Sequence, residues 1–286
     1  MIRCFFVSDL HGRTARYDKL FRAIEATPPA GVFIGGDLLP HALHRSSGGS
    51  VSDDLIGGFI APRLRELEKK LGGRYPAIFV ILGNDDPRVE QAGCQALERE
   101  GLWSYIHERR VEFEGHAVYG YAYVPPTPFH LKDWERYDVS RYVPHGSCSP
   151  EEGWRSVEVA PNVTRYATIT EDLGRLAGTA PVDKAVFLFH TPPHETLLDL
   201  ASLAGKMFEG VPLDVNVGSI AVRRFIESRQ PLLTLHGHIH ESARLAGSWR
   251  DKLGRTEMFT AAHDGPELAL VEFDLEDLPS AQRRLL

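Results

Sequence analysis

The feature that most constrains the fold is a repeated pairing of a short apolar run with polar residues that follow it directly. Each run has four to six residues and is rich in Val, Ile and Phe, which is typical of a buried strand. Segments with helical spacing separate several of the runs, so the chain is expected to form a layered α/β fold with its sheets buried on both faces. The runs are 2–7, 31–34, 77–82, 185–189 and 232–235.

The segments between these runs include four candidate helices. In the first, Leu20, Phe21 and Ile24 recur at the spacing of one helix face. The second ends in a pair of glycines, which suits a helix stop. The candidates are 16–26, 53–73, 90–101 and 219–231.

Two regions interrupt this alternation. Residues 124–163 are loop-like and rich in proline and aromatic residues, and they predict an insertion over one face, either as a lid or as surface packing. Residues 256–274 have the pattern of two strands joined by a "DGP" turn, and they are expected to be edge strands that close a sheet. No segment has the composition of a linker, so a single domain over 1–286 is predicted.

Charge and cysteine content narrow the function classes. The formal net charge is −7, with 39 acidic against 32 basic residues, which argues against a large nucleic-acid surface. The three cysteines are far apart and predict neither a disulfide framework nor a metal site. No apolar segment approaches the ~18 residues of a membrane span, and the first residues do not resemble a signal peptide. A cytoplasmic protein without a membrane partner is therefore expected.

The polar residues at the strand ends carry the functional prediction. Ligands of α/β proteins bind at the carboxyl ends of strands, where loops converge on a rigid sheet. Oxygen ligands mixed with imidazoles suit Mn²⁺, Fe or Zn²⁺, and seven candidates exceed the needs of one four-coordinate zinc. Two adjacent ions that share a bridging carboxylate are therefore expected. The candidate ligands are Asp9, His11, Asp37, Asn84, His190, His238 and His240.

Each of these short motifs is common by itself, but their order resembles the calcineurin-like metallophosphoesterase superfamily. Its pattern of D-x-H, G-D, G-N, a lone His and G-H-x-H is matched by "DLH", "GGD", "GND", "FH" and "GHIH", from residue 1 to about 240. "PPTPFHLKDWE" and "HTPPHETLLD" are similar to segments of a small bacterial and archaeal branch with Asp after the Asn. The resemblance implies a four-layer α/β fold, a central β-sandwich of two mixed sheets flanked by helices, rather than a purely doubly wound sheet.

The resemblance also implies two divalent metal ions (Mn, Fe or Zn). A water bridging two ions ~3.5–4 Å apart loses a proton readily, and the hydroxide attacks phosphorus in line. The predicted function is hydrolysis of a small-molecule phosphoester, more specifically a phosphodiester, with Asp37, Asn84 and His190 as catalytic residues. One ion would be held by Asp9, His11, Asp37 and His240, and the other by Asp37, Asn84, His190 and His238, with Asp37 bridging.

One position departs from the family pattern. Many members have His directly after the Asn, where it stabilises charge or protonates the leaving oxygen, and here Asp85 takes that place. An ionised carboxylate cannot donate a proton, so a structural or water-positioning role at the catalytic site is expected for Asp85, and aryl esters or diesters with acidic alcohols are favoured as substrates. Asp86 is expected to stabilise the loop. Candidate proton donors or substrate contacts are His41, His44, His130 and His194, while His236 is expected to pack or to orient a ligand.

Two other functions are compatible with the ligand pattern. A Mn-dependent nuclease of the repair-exonuclease kind shares it, but the acidic balance and the missing His after Asn84 argue against that function. A non-catalytic scaffold would tolerate decay of the ligands, whereas all seven ligand positions are filled. The oligomeric state is left open, because the sequence has no heptad pattern and no obvious interface stripe.

Overall fold

The computed structural model describes residues 1–40 and 54–286, which form two six-stranded sheets, a two-stranded ribbon and surrounding helices. The strands are β1 (Arg3–Val7), β2 (Gly31–Gly35), β3 (Ala77–Ile81), β4 (Ser104–Tyr105), β5 (Arg109–Phe113), β6 (His116–Tyr121), β7 (Val186–Phe189), β8 (Met207–Phe208), β9 (Val211–Pro212), β10 (Leu233–His236), β11 (Arg250–Leu253), β12 (Thr256–Thr260), β13 (Ala269–Asp274) and β14 (Asp277–Leu285).

The longer helices each bury one side. In the first of them Tyr17, Leu20 and Ile24 are buried, the spacing that points one helix face at a sheet. The α-helices are α1 (Thr14–Ala26), α2 (Ala61–Leu71), α3 (Gln91–Arg99), α4 (Pro161–Tyr166), α5 (Ile169–Ala177), α6 (Ile220–Arg229) and α7 (Ser242–Ala246). A π-helical turn (Leu55–Ile60) precedes α2, and short 3₁₀ turns lie at Gly72–Arg74 and Arg88–Glu90.

Both large sheets are mixed. Sheet 1 has the order β14-β13-β1-β2-β3-β4, in which β1 to β4 run parallel and β13 and β14 are antiparallel additions. Sheet 2 has the order β11-β12-β10-β7-β6-β5, in which the four central strands run parallel. The two mixed sheets with flanking helices confirm the predicted four-layer α/β arrangement.

Aromatic side chains fill the space between the two sheets. Phe113 of sheet 2 packs against Phe33 and Phe79 of sheet 1, with ring centroids 6.3 and 5.3 Å apart. At the other side Phe259 of sheet 2 meets Phe273 of sheet 1 at 5.9 Å. All five rings are buried, and such pairs contribute about 0.5–1.5 kcal/mol each beyond the area they bury. These contacts fix the two sheets as one sandwich.

The parallel strands determine where the functional residues lie. Strands β1, β2 and β3 of sheet 1 run parallel to one another, as do β7 and β10 of sheet 2. The carboxyl ends of parallel neighbours lie at one edge of a sheet, so the loops that follow these five strands converge. Those loops carry the candidate ligands.

The prediction for residues 256–274 is wrong in two respects. The two strands are β12 and β13, and they belong to different sheets instead of pairing through a hairpin. Neither is an edge strand, because β11 lies outside β12 and β14 lies outside β13. The local pattern identifies strands but not their partners, which the packing of the two sheets determines.

Within residues 1–40 and 54–286, no helix has both the length and the apolar character that crossing a membrane requires.

Candidate metal centre

Four predicted ligands come together where sheets 1 and 2 meet. The ligand atoms of Asp9, His11, Asp37 and His240 all lie within 4.8 Å of one another. The Nε2 atom of His240 is 2.9 Å from Nε2 of His11 and 3.3 Å from Oδ1 of Asp9. Nε2 of His11 lies 3.8 Å from Oδ2 of Asp37. The loops after β1, β2 and β10 therefore supply one compact donor group.

A second group of predicted ligands adjoins the first through Asp37. Nε2 of His190 lies 3.0 Å from Oδ1 of Asn84 and 3.4 Å from Oδ2 of Asp37. The ring of His238 is tilted against that of His190, with centroids 5.2 Å apart. Nδ1 of His190 donates to the Gly35 carbonyl at 2.7 Å, which orients the ring so that Nε2 faces the donor group.

The backbone at the site is conformationally strained. Four of the candidate ligands have a positive φ, a region that residues other than glycine seldom adopt. Such residues cost about 1–3 kcal/mol each and are retained where the surrounding structure holds them. Strained residues of this kind are typical of active sites and ligand-binding positions. The residues are Asp9 (φ 57°), His11 (φ 48°), Asp37 (φ 52°) and His238 (φ 72°).

Two glycines permit the close approach of the ligands. A methyl group on Gly83 would lie 2.3 Å from Oδ1 of Asp37 and 2.6 Å from Cε1 of His190. A methyl group on Gly237 would lie 2.7 Å from Oδ2 of Asp9. The glycines of the "GND" and "GHIH" motifs are therefore required by space.

The electrostatics of the site favour positive charge at its centre. Burial opposes ionisation of both carboxylates, but His240 and His190 lower the pKa of Asp9 to about 2, and His190 holds the pKa of Asp37 well below its usual range. Burial also opposes charge on His190, yet Asp37 and Asp9 outweigh it and raise the pKa of His190 to about 10. Burial lowers the pKa of His238 to about 3. Metal binds ionised carboxylates and neutral imidazoles, so an ion at this centre would take the place of the proton that His190 carries.

A divalent cation fits this donor set. Oδ2 of Asp9 is buried and has no hydrogen-bond partner among the residues of 1–40 and 54–286. The Nε2 atoms of His11 and His240 face each other beside two carboxylates, an arrangement in which a shared cation would satisfy all four groups. Mixed carboxylate and imidazole donors suit Mn²⁺, Fe or Zn²⁺.

The two aspartates after Asn84 have different surroundings. Asp85 donates its backbone N–H to Oδ1 of Asp37 at 2.9 Å, and its carboxylate lies 3.2 Å from Nδ2 of Asn84 and 3.7 Å from Nδ1 of His11. Asp86 is fully buried, and its carboxylate accepts three backbone N–H groups. Their donors are Leu38 (3.0 Å), Leu39 (2.8 Å) and Gly83 (2.9 Å). Burial and the nearby Asp37 raise the pKa of Asp86 to about 8, although these N–H groups act in the opposite direction.

Three further candidate histidines lie within the described residues, and their surroundings differ from those of this group. His236 is fully buried, stacks on Phe189, and uses both ring nitrogens, Nδ1 with the Thr191 carbonyl and Nε2 with the Thr234 hydroxyl. His194 lies beside Asp199, with Nδ1 at 3.7 Å from its carboxylate. His130 is exposed. His41 and His44 lie outside the described residues.

Sequence reasoning missed Arg16, which holds the Asp9 loop. Its guanidinium is buried and donates to the Asp9 carbonyl at 2.5 Å and to the carbonyls of His263 (3.4 Å) and Gly265 (2.5 Å). Arg16 therefore connects the loop after β1 to the loop after β12. The signal in the sequence was the position of Arg16 beside the apolar face of α1, where a charged side chain needs buried partners.

Comparisons with known proteins identify a family and similar folds. The calcineurin-like phosphoesterase family matches residues 2–242. No curated protein sequence matches significantly. Among solved structures, the protein TT1561 of Thermus thermophilus has a TM-score of 0.55 at 16% identity over 99% of this chain and 98% of its own. A dimetal phosphatase from Danio rerio has a TM-score of 0.52 at 12% identity over 95% and 91%.

At such identities the two structures support the fold alone, whereas the family match extends over most of the chain and includes every candidate ligand. The chain belongs to the calcineurin-like phosphoesterase family and is a hydrolytic phosphoesterase.

Proposed function

We propose that the protein hydrolyses a small phosphoester with the aid of two divalent metal ions. Asp9, His11, Asp37 and His240 would hold one ion, and Asp37, Asn84, His190 and His238 the other. The observation that carries the proposal is the position of Oδ2 of Asp37, 3.8 Å from Nε2 of His11 and 3.4 Å from Nε2 of His190. One carboxylate oxygen thus lies within reach of both donor groups, as a bridging ligand must.

Two such ions, when bound, supply Lewis-acid activation of water and of phosphoryl oxygens. The side chains contribute orientation and charge. His190 is fixed by its bond to the Gly35 carbonyl, and Asp37 is fixed by the N–H of Asp85. Because the donor groups are held by rigid strand ends, little reorganisation is needed when a phosphoester binds, which is how preorganised sites lower a barrier.

The substrate preference follows from Asp85. Its carboxylate lies beside Asn84 and His11, where many family members have a histidine that donates a proton. A carboxylate accepts hydrogen bonds and does not protonate a leaving oxygen, so substrates with acidic leaving groups are favoured. Phosphodiesters and aryl esters have this property. The cytoplasmic location and the single domain stay predictions.

The test is a substrate screen on the purified protein with Mn²⁺, Fe²⁺ or Zn²⁺ added separately. We expect turnover of bis(p-nitrophenyl) phosphate, loss of turnover with EDTA, and about two metal ions per chain by elemental analysis. His116→Ala serves as the matched histidine control and should keep both ions and activity, because His116 begins β6 and lies at the opposite end of that strand from the ligand loops. Turnover that survives complete metal removal would refute the metal-dependent reaction, and one ion per chain would refute the dinuclear site. Faster degradation of DNA than of the small diester would favour the nuclease.

A further inference from the structure

The segment that follows β6 contains an unusually buried run of polar and charged residues. In "KDWE", Lys132 and Trp134 are fully buried, and Asp133 and Glu135 are nearly so. The ammonium of Lys132 pairs with the Glu135 carboxylate at 2.6 Å and donates to the Thr127 carbonyl at 2.9 Å. A surface lid does not need such burial. The side chains of this run therefore pack in the protein interior and contact residues outside the segment.

That connection leads to the loop that carries Asn84. The indole Nε1 of Trp134 donates to the backbone carbonyl of Asp86 at 2.7 Å. Oδ2 of Asp133 accepts the backbone N–H of Arg88 at 2.7 Å, and Oδ1 accepts that of Ser156 at 3.0 Å. Two neighbouring residues of the insertion thus hold the backbone on the C-terminal side of Asn84.

The loop is in turn tied to the Asp37 loop by the carboxylate of Asp86. That carboxylate binds the N–H of Gly83, just before Asn84, and the N–H groups of Leu38 and Leu39, just after Asp37. A displacement of Asp86 would therefore move the backbone at both candidate ligands. Side chains that keep Asp86 in place consequently act on both ligand loops.

The Trp134 ring is well held for that role. Its centroid lies 4.8 Å from the His107 ring and 5.6 Å from the Tyr123 ring, and the guanidinium of Arg88 lies over it at 5.3 Å. A side chain enclosed on these sides has one available rotamer, so its N–H has a fixed direction.

We propose that Trp134 and Asp133 are positioning residues of the metal centre, which act through Asp86 on Asn84 and Asp37. The insertion then has a positioning role, because it sets the geometry of two ligand loops. The effect on metal binding rests on the proposed function, whereas the effect on the Asp37 loop does not.

The experiment compares Trp134→Phe with a matched control, Trp103→Phe. Trp103 is also buried and also donates its indole N–H to a backbone carbonyl, that of Cys94, at 2.8 Å between α3 and β4. Each substitution keeps a buried ring and removes one hydrogen bond of the same kind. The general loss of stability should therefore be alike in the two variants. Any difference between them in exchange rate or metal affinity reflects the location of the lost hydrogen bond.

The first measurement is amide hydrogen exchange of the metal-free protein. We expect the amides of Leu38 and Leu39 to exchange about fivefold faster in Trp134→Phe than in Trp103→Phe, because one hydrogen bond that holds their acceptor is lost. Equal rates in the two variants would overturn the proposal. This readout stands even if the wild-type protein binds no metal, a result that would refute the proposed function alone.

The second measurement is Mn²⁺ affinity by calorimetry, together with kcat and KM on bis(p-nitrophenyl) phosphate. We expect Trp134→Phe to bind Mn²⁺ about 10-fold more weakly than the wild type. Its kcat should fall by a larger factor than its KM rises, while Trp103→Phe should match the wild type. Faster exchange with unchanged Mn²⁺ affinity would overturn the link to the metal centre. If Trp134→Phe cannot be purified in folded form, Asp133→Asn is measured in the same way, with the same expected differences from Trp103→Phe.

Discussion

The Nε2 atoms of His11 and His240 lie 2.9 Å apart although 229 positions separate the two residues in the chain. Both atoms also face the carboxylates of Asp9 and Asp37. The lone pairs of two neutral imidazole nitrogens repel each other at this distance. The arrangement is therefore most stable when a metal cation or a proton lies between the two atoms.

Metal ions are therefore expected to stabilise the fold. Removal of metal with EDTA should lower the Tm by about 5 °C or more relative to protein with Mn²⁺ at about 100 times its Kd. Differential scanning calorimetry checks this. The exposed-site variant His130→Ala should show the same difference as the wild type. Identical melting curves with and without metal would contradict a metal centre in the folded protein.

Replacement of Asp37 by Asn should remove the bridging ligand and affect both ions. We expect kcat/KM on a phosphodiester to fall about 1000-fold or more, since the loss of ion-supported charge stabilisation costs several kcal/mol. Elemental analysis should show fewer than two ions per chain. Glu66→Gln, which alters an exposed carboxylate on α2, is the control and should match the wild type. Retention of both ions in Asp37→Asn would rule out the bridge.

Introduction of a histidine at Asp85 should broaden the substrate range. Asp85→His places a proton donor next to Asn84, and general acids typically contribute 10²–10⁴-fold where the leaving group is poor. We expect the ratio of kcat/KM for an alkyl phosphate to that for p-nitrophenyl phosphate to rise at least about 10-fold. Asp85→Asn, which has no such acid, should leave the ratio near the wild-type value. An unchanged ratio in Asp85→His would show that leaving-group protonation does not depend on this position.

An added methyl group at Gly83 should damage both stability and metal binding. Gly83→Ala places Cβ 2.3 Å from Oδ1 of Asp37, so the loop must shift, with an expected loss of about 1–3 kcal/mol in the free energy of unfolding. Gly174→Ala is the matched control, because a methyl group there, in α5, meets no atom within 4 Å beyond its chain neighbours and the nearby backbone of its own helix. That control should be neutral or more stable by about 0.5–1 kcal/mol. Urea unfolding and elemental analysis of both variants test this, and equal metal contents would contradict the steric argument.

Burial of His107 should make stability depend on pH. Burial, together with Arg88 and Arg136, lowers the pKa of His107 well below 6.5, its value in an unfolded chain. Below pH 6.5 the His107 imidazole is protonated in the unfolded state and stays neutral in the folded state. This contribution to the free energy of unfolding is therefore present above pH 6.5 and is lost as the pH falls below it. The slope is at most about 1.4 kcal/mol per pH unit. Urea unfolding at about pH 7.5 and about pH 5.5 should show a smaller pH effect in His107→Asn than in the wild type and in exposed His130→Asn.

Much of the site was predictable because its residues follow recognisable strands. An apolar run such as 77–82 identifies a strand and shows where it ends. The polar residues that follow the run identify the candidate ligands at that strand end. The pairing of the strands was not predictable in the same way. The local patterns of β12 and β13 each predict a strand, and only the packing of the two sheets assigns them to different sheets.

The contacts around Asp86 show a second limit. Asp86 was expected to stabilise its own loop, but the three N–H groups from which it accepts come from two separate loops. Asp133 and Trp134 lie in a segment without helical or strand periodicity, so nothing in their spacing indicates burial. Irregular segments acquire their partners from tertiary structure, which local sequence does not encode.

The distribution of the candidate ligands over both sheets has a consequence for synthesis of the protein on the ribosome. Asp9, Asp37 and Asn84 emerge early in synthesis, but His238 and His240 emerge only after most of the chain has been made. Sheet 1 is completed later still, when β13 pairs with β1 and β14 pairs with the outer side of β13. A nascent or prematurely terminated chain that ends before β10 therefore lacks two of the proposed ligands, so the proposed metal centre can be completed only late in translation.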